Sequence, residues 1–467
     1  MQRLSNRSRN MLPMNIMISY NLVTLVLFVF GAWNYKVTNY GTVIFVVLVS
    51  LFAFYMGYFL VIHSHKEYVI DESTYNKLDS TDSKVIMMLK KWTKISAILA
   101  IPDMLYYSRM WTLSPAQILQ RLIIGLTESN LNYSLSLGYE NSGTVLEKVV
   151  VILTVLLYTL KFAVLPLSII YWKKIDGKQK TLCIFITVVE IIKWLLKGMN
   201  KGIFDYAFVF LASALLVIAI NKRQRQSQYV SEVEGKQKRK AWIYIISIVA
   251  LVLAVNVFIS NIAARSSKLT TAYYSSSMQL TADPDNLFLR LLPVELHKPF
   301  LSLCMYLTCG YQGLSYALRL PFKWCFGIGN NQFTISNFRD VLGLNVSSLT
   351  YQARVEQFYP WYEFHNWHTT YTWLANDFSF YLVPVVLFIW GVLFALSWLS
   401  AVEKHNPYAV IIFCLFIIRS AFLPANNVVL TSSFTFITWF VCMILWYLSS
   451  HGIRVKLGRT ILFNQKY

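Results

Sequence analysis

The sequence predicts an all-α polytopic membrane protein, and three observations carry that reading. Of 467 residues, 56% are hydrophobic and only 14% are charged, where an ordinary soluble domain carries about 25% charged residues. Mean hydropathy is positive, at +0.49. The apolar residues fall in runs close to the ~20 residues that a spanning helix needs. An aromatic content of 16% excludes a disordered chain, and six Cys in so long a chain exclude a disulfide scaffold.

Ten runs qualify, at 16–33, 42–62, 92–107, 145–172, 181–196, 203–220, 241–263, 378–399, 408–423 and 433–449. The first follows Arg3, Arg7 and Arg9, as a signal peptide would. It is long, lacks a small-residue cleavage site and is followed directly by a second span, so it reads as retained. With the N-terminus inside, the inner segments hold 24 Lys and Arg, far more than the short outer loops, as the positive-inside rule requires. Both termini are then cytoplasmic. The net charge of +20 reads as membrane orientation, with the basic linker 221–240 clamped to an anionic surface, and no nucleic-acid partner is expected.

Three regions follow: an N-terminal bundle of about seven spans (1–263), one large extracytoplasmic loop (264–377), and a C-terminal bundle of about three spans with a basic tail (378–467). The loop far exceeds ordinary connection lengths, which marks it as functional. Inside it, 300–318 is free of charge, yet Ser302, Thr308, Gly310, Gln312, Gly313 and Ser315 make it too polar for a simple span. It reads as an interfacial or re-entrant helix.

Charges inside spans are costly and default to function. Glu190 and Lys193 stand at i, i+3 and can pair, in a structural or a catalytic role. Arg419 lies near the outer end of its span, a candidate anion ligand. Lys161, mid-span, reads as a snorkelling lysine. Between two short spans, Lys197-Gly198-Met199-Asn200-Lys201-Gly202 forms an outward cationic tip suited to a phosphate, or a plain tight turn. The long loop adds Arg290, Arg319, Arg354, His297, His365 and His368. Its aromatic stretch 361–377, with Trp361, Trp367 and Trp373, offers either membrane-belt residues or platforms for sugar rings, and an imidazole beside such a platform is a plausible general base. His365 and His368 with Glu363 and Asp377 invite a metal, but no other ligand spacing supports one, so neither metal nor cofactor is expected. Cys304, Cys309 and Cys325 have no CxxC spacing and read as unpaired. Hydrolase motifs, a P-loop and a dinucleotide fingerprint are absent, as is an acidic pair in the first outer loop (34–41).

Three stretches together resemble the bacterial oligosaccharide repeat-unit polymerases (the O-antigen polymerase, Wzy-type, family) and, more remotely, the O-antigen ligases. The segment 306–333 (YLTCGYQGLSYALRLPFKWCFGIGNNQF) is similar to the family's glycine-bearing loop helix and its GxGN turn. The segment 367–377 resembles the His-containing stretch that leads into the next span. The segment 197–202 stands where relatives often carry an Arg; Lys201 in that place keeps the charge but loses bidentate binding. The resemblance implies a multi-span, GT-C-like glycosyltransferase fold at the outer face of the bacterial inner membrane. It implies a metal-independent, inverting enzyme that transfers a growing glycan from undecaprenyl diphosphate to a hydroxyl of a new lipid-linked repeat unit. O-antigen, capsule or exopolysaccharide would be the product, and a chain-length regulator and a flippase would be partners beside the membrane lipids. His368 would be the base. Arg354, Arg419 and Lys201 would clamp the diphosphate, with Lys197, Arg319 and Arg290 as further cations, and Trp361, Trp367 and Trp373 would stack on sugars. The alternatives are an O-antigen ligase, which uses the same glycan donor, and a lipid-linked oligosaccharide flippase or transporter. The long loop and the lack of visible repeats argue against the last.

Overall fold

Each apolar run that falls on described residues folds as helix. The computed structural model describes residues 2–66, 71–108, 114–127, 145–199, 201–225, 273–275 and 278–452, with 456–457, 460–461 and single positions 110 and 132. The helices are α1 (Gln2–Phe30), α2 (Tyr40–Ser64), α3 (Glu72–Tyr107), α4 (Pro115–Thr127), α5 (Val145–Ile170), α6 (Gly177–Leu196) and α7 (Lys201–Arg225). They continue as α8 (Leu287–Arg290), α9 (His297–Ala317), α10 (Gln332–Leu342), α11 (Tyr351–Phe358), α12 (Thr370–Lys404), α13 (Pro407–Ala421), α14 (Val428–Thr431) and α15 (Ser433–Ser450). Among the described residues strand is confined to two-residue pairs, among them Tyr274–Ser275 with Leu280–Thr281.

Among the described residues, five helices are long and apolar enough to cross a membrane: Ser8–Phe30, Tyr40–Ser64, Lys201–Gln224, Thr370–Lys404 and Ser433–Ser450. The chain is therefore an all-α membrane protein. The apolar pieces Leu157–Ile170 and Pro407–Ala421 are shorter. The expected runs 92–107 and 181–196 are helical, in α3 and α6, but carry ionisable side chains and are not among the five. The run 241–263 lies outside the described residues, as does most of the linker 221–240.

The chain divides into two units. One comprises Met1–Ser64, Ile262–Ala395 and Ile418–Phe436; the other comprises His65–Asn261, Leu396–Ile417 and Ile437–Tyr467. The first two helices thus group with the long loop, and α9 is the reason. Residues 308–317 of α9 are all buried, and the polar side chains that suggest an interfacial helix are hydrogen-bond partners of α1 and of the turn after it. Tyr311 meets Thr24 at 3.0 Å and Thr308 meets Tyr35 at 2.6 Å. Ser315 donates to Asn39, and Trp33 donates its indole N–H to the Leu301 carbonyl at 2.8 Å. In the same unit α2 crosses α12 at two glycines. A Cβ on Gly57 would run into the Phe388 carbonyl, and one on Gly391 into the Phe54 carbonyl. Small residues of this kind let membrane helices approach closely, and Phe54 stacks on Phe394 beside them, 6.1 Å between centroids.

The second unit is organised by charge. Asp103 of α3, Lys161 of α5, and Glu190 and Lys193 of α6 are all buried. Lys161 bridges Asp103 and Glu190, and Lys193 reaches Asp103 at 3.0 Å and Glu190 at 2.7 Å. Lys161 therefore does not snorkel, as its sequence position suggests. It is held in the bundle because two carboxylates from other helices replace its water.

Two outcomes are expected. Gly391→Val should lower the melting temperature of the purified protein, at a cost of about 1–3 kcal/mol for a clash that backbone cannot relieve, while Gly41→Ala, with open space around its Cα, should not. Lys161→Met should cost about 3–5 kcal/mol, because two buried carboxylates are left sharing the single ammonium of Lys193 and one negative charge is uncompensated. The double variant Lys161→Met/Asp103→Leu, which leaves the Glu190–Lys193 pair intact, should recover much of that loss in the same melting experiment.

Candidate functional site

The candidate site lies in the first unit, where the long loop is laid on α9 and on the start of α12. Gly310 and Gly313 make the seat. A Cβ on Gly310 would meet the Pro424 carbonyl, and one on Gly313 would meet the Trp361 indole nitrogen at 2.6 Å. The loop 361–369 closes on itself over that seat. Trp361 donates its indole N–H to the Trp367 carbonyl at 3.1 Å, and the Tyr362 N–H goes to the Asn366 side chain at 2.6 Å. The Thr370 N–H is received by the Leu423 carbonyl at 3.0 Å. These bonds fix His368, which is 1% exposed. Among the described residues neither ring nitrogen completes a hydrogen bond of good geometry. Burial pushes its pKa down to about 3, against a smaller opposing effect of the Tyr362 backbone, so the ring is neutral near pH 7.

A second knot stands at the first turns of α12. Asp377 is gripped by the turn that precedes α10: its Oδ1 accepts from the Gly327 and Gly329 N–H groups at 2.9 and 3.2 Å, and its Oδ2 from Asn330 at 3.0 Å. The turn needs glycine at 327, where φ is +80°, and a small residue at 329, where a Cβ would strike the Cys325 side chain. The GxGN stretch thus holds a carboxylate of its own chain. Asn376, next along α12, accepts from the Tyr351 N–H at 2.7 Å. It also donates to the Gly329 carbonyl at 2.7 Å and the Gln352 amide oxygen at 2.9 Å. Two residues after Asp377, Ser379 adopts φ 55° and ψ 163° inside the helix, a region almost reserved for glycine and a frequent mark of functional sites.

Around this turn, among the described residues, the buried N–H groups of Arg354 (Nη2), Gln352 (Nε2) and Trp373 (Nε1) lack an acceptor. Arg354 is 4% exposed, lies over the Tyr351 ring with 4.6 Å to its centroid, and donates to the carbonyls of Leu349 (3.0 Å), Thr350 (3.3 Å) and Pro321 (2.7 Å). Burial pulls its guanidinium below the ordinary arginine value. Trp373 packs with Cys325, Ile335 and Val346, and Arg354 acts electrostatically on that same Cys325. Gln352 is held beside the turn by Asn376. A cation and two neutral N–H groups without an acceptor form an arrangement that favours an anion.

The remaining expected residues are distributed as follows. Arg419, buried in α13, lies over the Trp390 ring with 3.2 Å to its centroid. Arg319 is exposed and bonds Thr38, and Arg290 is an exposed partner of Asp285 at 3.4 Å. Lys197 and Lys201 belong to the second unit. There Lys201 pairs with Asp205 at 2.7 Å and the Lys197 ammonium sits 3.7 Å from the Tyr107 ring centroid, so the charge of Lys201 is already answered by a carboxylate. Of the three tryptophans expected to stack on sugars, Trp361 and Trp373 are buried with their faces covered. Trp367 is partly open, beside Tyr306 (4.6 Å) and Phe422 (6.4 Å). His365 is exposed while His368 is enclosed, and among the described residues no group of three or more His, Cys, Asp or Glu could hold a metal. The sequence reading did not single out Gln352 or Asn376. Nor did it single out Asp103, although a carboxylate inside an apolar run is the signal that pointed to Glu190.

Glu363, in the loop beside the site, has a displaced titration. Burial, and then the charge of Glu356, push it up to about 7, and its N–H donates to Glu356 Oε2 at 3.0 Å. Compared with known proteins, the chain matches no family model, no curated protein and no solved structure.

The Glu363 shift has a defined consequence. Between about pH 4.5 and about 7 the folded protein holds a proton that the unfolded chain has released, so stability should fall as pH rises through that window and level off above it. Glu356→Gln should flatten the fall in part, because the like charge is the smaller of the two causes. Melting temperature against pH for both proteins checks the sign.

Proposed function

We propose that this protein polymerises lipid-linked oligosaccharide repeat units, as a metal-independent inverting glycosyltransferase at the outer face of a bacterial inner membrane. The observation that carries the reading is the anion-favouring set around the Cys325–Asn330 turn: buried Arg354 without a carboxylate partner among the described residues, with the unfilled N–H groups of Gln352 and Trp373. A diphosphate leaving group needs such a set, since negative charge builds on it as the glycosidic bond to the lipid diphosphate breaks. The acceptor hydroxyl attacks the anomeric carbon from the opposite face, and its proton needs a base. His368, neutral and with both nitrogens unfilled, suits that role, Trp367 offers the partly open aromatic face for a sugar, and Arg419 is a second buried cation.

The test is polymerisation in liposomes with undecaprenyl-diphosphate-linked repeat units, products read on a gel. Wild type should give a ladder. His368→Ala and Arg354→Gln should each slow it by about a hundred- to a thousand-fold, with folding verified by melting temperature. A ladder unchanged in His368→Ala but lost in Glu363→Gln would move the base to the Glu356–Glu363 pair. Transfer onto lipid A core without a ladder would make the protein a ligase, and no transfer by folded protein would overturn the enzyme reading.

A further inference from the structure

We infer that residues 287–296 form an apolar foot that sits in the lipid leaflet at the outward end of α1. Leu287, Leu291, Val294 and Leu296 are 67, 74, 72 and 49% exposed, a concentration of bare aliphatic side chains that water disfavours. Leu287 and Leu291 stand four residues apart at the α8 turn and so share its side, and Val294 and Leu296 follow in the short turn after Pro293.

The occupant is identified by where the foot is fastened. Asn286 donates its side-chain N–H to the Phe30 carbonyl at 3.1 Å. The Asp283 N–H bonds the Ala32 carbonyl at 2.8 Å, and the Asn34 N–H bonds the Thr281 carbonyl at 3.0 Å. The foot is thereby tied to the last turn of a helix long and apolar enough to cross a membrane, Ser8–Phe30. That helix carries its own bare stripe, Val23, Val26 and Phe30 at 56, 46 and 67% exposed, again at helical spacing. The foot is fastened just past the end of this helix, the depth at which hydrocarbon gives way to headgroups. Its polar rim suits that depth: Arg290 and Asp285 are exposed and paired to one another, and Arg290 can reach lipid phosphate without leaving the rim. The neighbouring α9, the stretch whose composition suggests an interfacial helix, is occupied within the protein, so the surface contact passes to the residues just before it.

The experiment uses the full chain in phosphatidylcholine liposomes. The six native Cys are buried, so Leu291→Cys, Val294→Cys and, as a control on the rim, Asp285→Cys can each be labelled with an environment-sensitive fluorophore, with melting temperature confirming the fold. Labels at 291 and 294 should emit to the blue and be quenched by lipids carrying a nitroxide near the headgroup end of the acyl chain. The 285 label should emit as in water. Water-like emission at 291 and 294 would overturn the inference. So would a blue shift without quenching by lipid nitroxide, which would mean that protein, such as a second copy of the chain, covers the patch.

Discussion

A carboxylate withdrawn from water is stable only where hydrogen-bond donors or a cation replace that water, and among the described residues Asp377 has no cation. Its needs are met by the two backbone N–H groups and one amide of the turn at 327–330, and much of the first unit follows from that. The turn must bring the N–H groups of Gly327 and Gly329 to one side, and its backbone is left-handed at Phe326 and Gly327. Asn376 fastens α11 to the same turn, so Gln352 and Arg354 are delivered beside it. The left-handed Ser379 that follows costs of order 1–3 kcal/mol, and such a residue persists only where the surroundings over-determine it, as the bonds of Asn376 and Asp377 do here.

The second unit meets the same requirement in the opposite way. There each buried carboxylate of the Asp103–Lys161–Glu190–Lys193 set has two ammonium partners, and Asp205 has Lys201. Positive and negative charge balance within each group. A balanced ionic set is costly to disturb and offers little to an incoming anion. The turn in the first unit, by contrast, meets its carboxylate with neutral N–H donors while leaving Arg354, Gln352 and Trp373 with N–H groups unfilled among the described residues. That asymmetry is the reason to place an anion site there and not at the lysine-rich 197–202 tip.

Helices were legible in the sequence because a spanning helix meets its backbone needs internally, so a continuous apolar run suffices to announce it. What depends on partners far along the chain was not. The polar residues of α9 look like those of a surface helix until Tyr35 and Asn39, more than 270 positions away, are seen to bond them. Trp361 and Trp373 have the composition of a membrane belt or a sugar platform, and only packing distinguishes these from core. The glycine turn at 327–330 was legible as a feature, but its partner stands 47 positions on. His368 was legible as a candidate from its setting; its burial was not.

A neutral His368 with a pKa of about 3 is a weak base, and that weakness bears on how a transferase avoids water. Polymerisation competes with hydrolysis: a ring basic at all times would activate water as readily as a sugar hydroxyl. Desolvation holds the pKa down, and an anion brought within about 4–6 Å raises it again by favouring imidazolium. If the set around Arg354 receives a diphosphate near enough to His368, the ring gains basicity only when the glycan donor is bound, and the same arrival fills the unfilled N–H groups. On the proposed function, burial of His368 would then couple glycan-donor binding to proton abstraction.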